Sequence, residues 1–296
     1  SAGLGAQTLP VGTTLFPYAD MVRQIGGDAV SVSYLLPAGA SPHTFEPRPS
    51  QIREAAKARL IIINGAGLDE WALKLAAAAN PDASLVVLAD GVTLRPYRNN
   101  LVTGFGEQAP GEEENREPGD HDQQGPVHRD HGHQGHAHHD AGSTGSVDPH
   151  FWLDPLIVRD EIAPQIAAAL SRLAPEHMEA FQSNLARYQA QLSALDEEIR
   201  AAVSSFSQRR FISYHSAWGY FAHRYGLTEA ATVAGFPGQE PSPRWLAQLV
   251  QLTRQLGVRV VFAEPQLSPR AAQAIAAEIG GQVVIMDPLG GDSLEG

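Results

Sequence analysis

The sequence predicts an α/β protein made of two βα lobes with parallel sheets, joined by a long rigid helix. Three observations carry this. Short apolar runs of strand length alternate with amphipathic tracts of helical length. The strand runs are continuously apolar rather than alternating, as in strands covered on both faces. The same order of elements occurs twice, on either side of a long helical tract, although the sequence itself does not repeat.

In the first part the strand candidates are Leu9–Leu15, Val30–Leu36, Leu60–Asn64 and Leu85–Ala89. Helical candidates Pro17–Gly26, Pro49–Ala58 and Asp69–Ala79 lie between them. Proline is tolerated at the first helical position, which suits Pro17 and Pro49. In the last third, strand candidates Phe211–Tyr214, Thr228–Ala234, Val258–Ala263 and Val283–Met286 alternate with helical candidates Ala217–Tyr225, Pro243–Leu256 and Pro269–Ile279. Between the two parts, Pro155–Leu173 reads as a helix broken or kinked at Pro164. Ala174-Pro175 interrupts, and Glu176–Ser205 then runs without Gly or Pro. Phe181, Leu185, Tyr188, Leu192, Leu195 and Ile199 give that tract an apolar stripe at 3-4 spacing. Such a helix would be about 45 Å long, enough to act as a strut between lobes. The expected organisation is an N-terminal lobe over 1–157, a helical segment over 158–206 and a C-terminal lobe over 207–296.

Composition narrows the chemistry. The chain has 296 residues, 33 Asp+Glu, 21 Lys+Arg, 12 His and no Cys, with a formal net charge of −12. An acidic chain without a long basic run is poorly suited to nucleic acid or anionic membranes. Without cysteine there are no disulfides, thiolate metal sites, iron–sulfur clusters or cysteine nucleophiles. No apolar run approaches the roughly 20 residues that span a bilayer. The opening Ser1-Ala-Gly-Leu-Gly-Ala has no signal-peptide pattern and reads as a processed or engineered start.

The charge and the histidines are concentrated together. Residues 105–147 hold nine Asp/Glu, two Arg, eleven Gly/Pro and seven His: His121, His128, His131, His133, His136, His138 and His139. This stretch carries −7 of the net charge and has one aromatic residue, Phe105. It cannot bury enough apolar surface to offset chain entropy, so it is expected to be a disordered acidic loop. Its dense imidazoles suit weak, exchangeable metal binding.

Five histidines lie elsewhere. His43 sits past the second strand in Pro37-Ala-Gly-Ala-Ser-Pro-His-Thr-Phe-Glu-Pro-Arg-Pro, a loop stiffened by proline on both sides. His150 sits in Asp148-Pro-His-Phe-Trp-Leu-Asp-Pro, and His215 ends the strand Phe-Ile-Ser-Tyr. Ligands of doubly wound folds bind outside the C-terminal ends of strands, where His43 and His215 stand. Asp287 ends the last strand. Three neutral imidazoles and a carboxylate form a closed set suited to zinc, although manganese, cobalt, nickel or copper(II) also accept such donors. Glu46 and Glu264 are candidate substitute ligands, or groups that orient an imidazole N–H. Asp148, Asp154 and Asp287 each precede proline and fit turn starts equally well. His177 and His223 read as helix-surface residues. Periodicity alone does not select among these.

At these residues the sequence resembles the zinc/manganese-specific solute-binding proteins of bacterial ABC importers. The likeness spans nearly the whole chain. Ser41-Pro-His-Thr-Phe-Glu-Pro-Arg-Pro-Ser resembles the family's first-ligand motif, and Leu60-Ile-Ile-Ile-Asn-Gly-Ala-Gly-Leu-Asp-Glu-Trp its third strand and turn. Asp148-Pro-His-Phe-Trp-Leu-Asp-Pro resembles the second-ligand motif. Tyr214-His-Ser-Ala-Trp-Gly-Tyr-Phe, Phe262-Ala-Glu-Pro-Gln and Met286-Asp-Pro-Leu-Gly resemble second-lobe motifs in the same order.

The resemblance implies two lobes joined by a rigid helix, with a metal site in the cleft whose ligands are His43, His150, His215 and Asp287. Manganese-type members carry a carboxylate at the third position, so His215 points to Zn(II), as does the His-rich loop. The implied role is a monomeric, non-enzymatic, periplasmic receptor that hands zinc to a membrane permease. The loop would collect zinc or dock a periplasmic metallochaperone. A lipid-anchored form is the lesser expectation, since no anchoring cysteine is present. Family members continue past the last strand, which makes a truncated C-terminal lobe the expectation here. The rivals are a manganese or iron receptor of the same class, a zinc hydrolase and a metal-stabilised adhesin. A hydrolase would keep an open water position on three ligands, and no H-E-x-x-H motif occurs.

Overall fold

The computed structural model describes residues 8–97 and 147–290. All seven loop histidines, and the loop apart from Val147, lie outside the described residues. The first lobe runs β1 (Leu9–Thr13), α1 (Phe16–Gly26), β2 (Val30–Tyr34), α2 (Pro49–Ala55), β3 (Leu60–Ile63), α3 (Glu70–Ala79) and β4 (Ser84–Val87). Helical segments α4 (Pro155–Ile157), α5 (Ala163–Leu173) and α6 (Met178–Ser204) follow. The second lobe is β5 (Arg210–Ser213), α7 (Gly219–Tyr225), β6 (Thr228–Thr232), α8 (Pro243–Leu256), β7 (Val260–Ala263), α9 (Arg270–Ile279) and β8 (Gln282–Ile285).

Each lobe holds a four-stranded parallel sheet, in the orders β2-β1-β3-β4 and β6-β5-β7-β8. The strands are those expected, although several end sooner. Single backbone bonds extend the pairing a residue or two past these ends, as from the Leu36 N–H to the Thr14 carbonyl and from the Ala234 N–H to the Tyr214 carbonyl. Strand β3 shows why continuous apolar runs signal cover on both faces. Leu60 and Ile62 pack in the core under α1, α5 and α6, whereas Ile61 and Ile63 pack in a second core with α2 and α3. In the other lobe, Ile212 and Val261 meet Trp245 and Leu249 of α8 and Ile275 of α9. Phe211 on the opposite face packs with Trp218 and Ala222. Helix α8 has clear boundaries: the Ser242 side chain caps the Trp245 N–H, Pro243 opens the first turn, and Gly257 at φ 65° closes it.

Pro164 perturbs the middle tract as its chemistry requires. It cannot donate to the carbonyl four residues back, and the turn ahead of it, Val158–Ile162, widens into π geometry instead of breaking. Helix α6 is 27 residues long, about 40 Å. Its buried face is Phe181, Leu185, Leu192, Asp196 and Val203. Leu195, read as part of that stripe, is 43% exposed. Asp196 takes the inward position because Tyr225 Oη donates to it at 3.1 Å and Arg200 Nε at 2.8 Å.

Several contacts join the lobes beside this helix. Trp152 Nε1 donates to the Pro288 carbonyl at 2.8 Å, and the Arg95 N–H donates to Tyr220 Oη at 2.8 Å. Arg224 of α7 grips both carboxylate oxygens of buried Asp154 from its Nε, at 2.9 and 2.8 Å, with Nη2 also at 2.8 Å. Asp154 is also the cap of α4, accepting from the Leu156 and Ile157 N–H groups. Removing Arg224 leaves a buried carboxylate with no ion partner among the described residues. Arg224→Ala is therefore expected to cost about 3 kcal/mol, the lower end for breaking a buried pair because the guanidinium is partly exposed. Urea unfolding of the metal-free protein measures this; a loss below about 1 kcal/mol would mean the pair acts as a surface contact.

Candidate metal centre

Three loops converge between the lobes. The loop after β2 carries His43. It is held by Trp71 Nε1, which donates to the Pro42 carbonyl at 3.2 Å, and by the Phe45–Trp71 ring contact at 4.8 Å. The segment before α4 carries His150. Asn64, at the end of β3, donates from Nδ2 to the Pro149 carbonyl at 3.2 Å. Asn64 is itself fixed by Tyr18 Oη and by buried Asp69, which accepts from the N–H groups of Asn64 (2.7 Å) and Gly65 (2.9 Å) and from Thr14 Oγ1 (2.6 Å). The turn there needs Gly65 at φ 79°, where a Cβ would strike Val87. The third loop leaves β5 and carries His215.

The ring nitrogens of these three histidines lie within 4.8 Å of one another. His150 Nε2 is 3.2 Å from His43 Nε2 and 3.3 Å from His215 Nε2. His150 is 1% exposed and His215 6%, and His43 is partly buried against Phe236. Behind two of the rings stand carboxylates. Asp148 Oδ1 accepts from His150 Nδ1 at 2.8 Å and from the His150 N–H at 3.0 Å. Glu264 Oε1 accepts from His215 Nδ1 at 2.6 Å. Each carboxylate takes the Nδ1 proton and leaves the Nε2 lone pair bare. Two bare lone pairs facing each other 3.3 Å apart repel unless a cation lies between them.

The electrostatics favour neutral rings. Burial holds the His150 pKa well below the ordinary imidazole value, and His215 lowers it further. Burial, then His150 and His215, do the same to His43. Burial pushes Asp148 up to about 7, opposed by the His150 N–H. A dication among the imidazoles would favour its ionised form and strengthen the bond to Nδ1. Nitrogens about 2.0–2.1 Å from a tetrahedral zinc stand about 3.3–3.4 Å apart, close to the spacing found.

Of the expected site residues, the structure brings together His43, His150 and His215. Glu264 backs His215 as an orienting group. Asp287 is not brought into the cluster. Its Oδ1 accepts from the Leu289 N–H at 2.9 Å, an Asx turn, and from Gln266 Nε2 at 2.7 Å. The turn that follows β8 thus claims the carboxylate. Glu46 is exposed and also outside the group. Sequence reasoning overlooked Asp148 as His150's partner, treating it as a turn start. Its position two residues before His150 was the available signal. Asn64, Trp71 and Gln266 carried no such signal, because their partners are distant in sequence.

The pKa directions have a consequence at acid pH. At pH 6 a free imidazole is about three-quarters protonated, but one with a depressed pKa stays neutral. Below about pH 6.5 the unfolded chain binds more protons at these positions, so their contribution to stability falls as pH falls. ¹⁵N-detected NMR of the metal-free protein at pH 6 should show His150 neutral with its proton on Nδ1. An imidazolium pattern would contradict this.

Residues 11–296 match the family described as zinc-uptake complex component A, periplasmic, or ZnuA. The chain is 29% identical to the zinc-binding protein AdcA of Streptococcus pyogenes over 281 residues, 94% of this chain and 50% of that protein. It is 28% identical to the high-affinity zinc uptake system protein ZnuA of Bacillus subtilis over 296 residues, covering 100% of this chain and 83% of that protein. The chain thus spans about half the length of the AdcA proteins it matches. A ZnuA crystal structure aligns at TM-score 0.77 and 29% identity, over 97% of this chain and 93% of that one. A ZnuA deletion mutant with zinc bound aligns at 0.75 and 30% identity, over 97% and 92%.

Proposed function

The chain belongs to the family of periplasmic zinc-uptake component A proteins, and from that premise we propose that it is a high-affinity Zn(II) receptor serving an ABC importer. Zinc is its cargo and it performs no chemistry on a substrate. The observation that carries this reading is the convergence of three imidazoles, two of which, His150 and His215, have their protons drawn to the far side by Asp148 and Glu264. His43 and His150 bring ligands from the first lobe, and His215 brings one from the second. Metal capture therefore holds the lobes together and marks the loaded state for a membrane permease. Asp287 stands close by as a carboxylate held in a turn.

In this reading 1–157, 158–206 and 207–296 act as lobe, strut and lobe. The protein works as a monomer outside the cytoplasm, in the periplasm. The histidines His121 to His139 form a low-affinity collecting tract that passes zinc inward or receives it from a metallochaperone. Support for that tract comes from composition, seven imidazoles among acidic and glycine residues.

Competitive titration of metal-free protein with Zn(II), Mn(II) and Cu(II) tests the metal and the ligands together. Zn(II) should bind more tightly than Mn(II), and His150→Ala should weaken Zn(II) by at least about 100-fold, beyond the 10–100-fold typical of losing an orienting group. A Mn(II) preference would overturn the cargo, and unchanged affinity would overturn the site. Deleting residues 121–139 should leave the equilibrium affinity within about 2-fold while slowing zinc acquisition at low concentration, read by stopped-flow competition. Loss of tight binding in that variant would contradict the division of labour.

A further inference from the structure

Gln266 follows the Glu264 that backs His215, and it lines two neighbouring cavities. One holds the three histidines and the other holds Asp287. Its two ends are treated differently. Nε2 donates to Asp287 Oδ1 at 2.7 Å, whereas Oε1 is buried and has no hydrogen-bond partner. The amide cannot turn over, because Oε1 would then face the carboxylate. A buried carbonyl left without a donor is costly, so this oxygen calls for one.

The other polar side chains around the histidine cavity, Ser41 and His43 among them, make no bond to this oxygen. His150 and His215 present bare Nε2 lone pairs, their protons being committed to Asp148 and Glu264, and Glu264 is itself an acceptor. A water on a metal in the cavity is a strong donor, since the ion polarises its O–H bonds. Taking the three histidines as a metal site, we propose that Gln266 sets the fourth coordination position, its N–H group tethering Asp287 in the turn and its carbonyl oxygen receiving a water bound to the metal. Gln266 is then a positioning residue. It keeps this position with an exchangeable neutral ligand instead of a carboxylate, which leaves the cargo easier to release.

Co(II) serves as the probe, because it accepts the same donors as zinc and its visible spectrum reports the ligand set. Azide replaces a bound water but competes poorly with a fixed carboxylate. The wild-type Co(II) protein should show an azide-induced spectral shift, and Asp287→Ala should show the same shift. In Gln266→Met, similar in volume, the carboxylate is untethered and takes the fourth position, so the azide shift should be lost. Gln266→Met combined with Asp287→Ala should regain it. Gln266→Ala, which also removes both amide ends, should repeat the loss. Wild-type silence toward azide that Asp287→Ala or Gln266→Met relieves would overturn the proposal, as would an unaltered shift in both Gln266 variants with Co(II) still bound. Failure of the wild type to bind Co(II), or binding indifferent to His150→Ala, would overturn the metal site itself and is read separately from the azide response.

Discussion

The structure depends on holding three imidazoles together while the Nε2 lone pairs of His150 and His215 point at one another. This arrangement opposes itself when empty, and the protein sustains it from behind. Asp148 and Glu264 hold the Nδ1 protons of His150 and His215, so neither ring can relieve the clash by changing tautomer. Burial holds His150 and His43 neutral, so neither relieves it by protonation. A soft orienting shell would let the rings rotate apart. A cation between the rings would relieve that repulsion, which favours metal capture.

The rest of the fold supplies rigidity to those loops. Parallel sheets covered by helices place the loops after β2, β5 and β7 at the same end of each lobe. Asn64, Tyr18, Thr14 and Asp69 form a buried polar network beneath His150. The long helix α6, the Asp154–Arg224 pair and the Trp152–Pro288 bond restrict how far the lobes can move apart. Such an assembly favours small loop adjustments over wide hinge motion.

Much of this was legible in the sequence, for physical reasons. Continuous apolar strands such as Leu60–Ile63 mark a two-sided cover, and a tract without Gly or Pro marks the strut. Histidines at strand ends, or between prolines, mark positions where ligands gather. What stayed hidden depends on contacts distant in sequence. Leu195, expected in the buried stripe, gives way to Asp196, whose partner Tyr225 lies 29 residues further on. Asp287 and Asp148 present the same Asp-Pro pattern, yet one closes a turn and the other orients an imidazole. Only the packing of neighbouring loops distinguishes them.

The central claim is a zinc ion held by the three converging imidazoles. X-ray absorption at the zinc edge tests it most directly, using protein lacking residues 121–139 and loaded with one equivalent of zinc so that the His-rich tract cannot contribute. The expected spectrum has three imidazole nitrogens and one oxygen, at about 2.0–2.2 Å. A shell dominated by oxygen, or one containing fewer than three imidazoles, would contradict it.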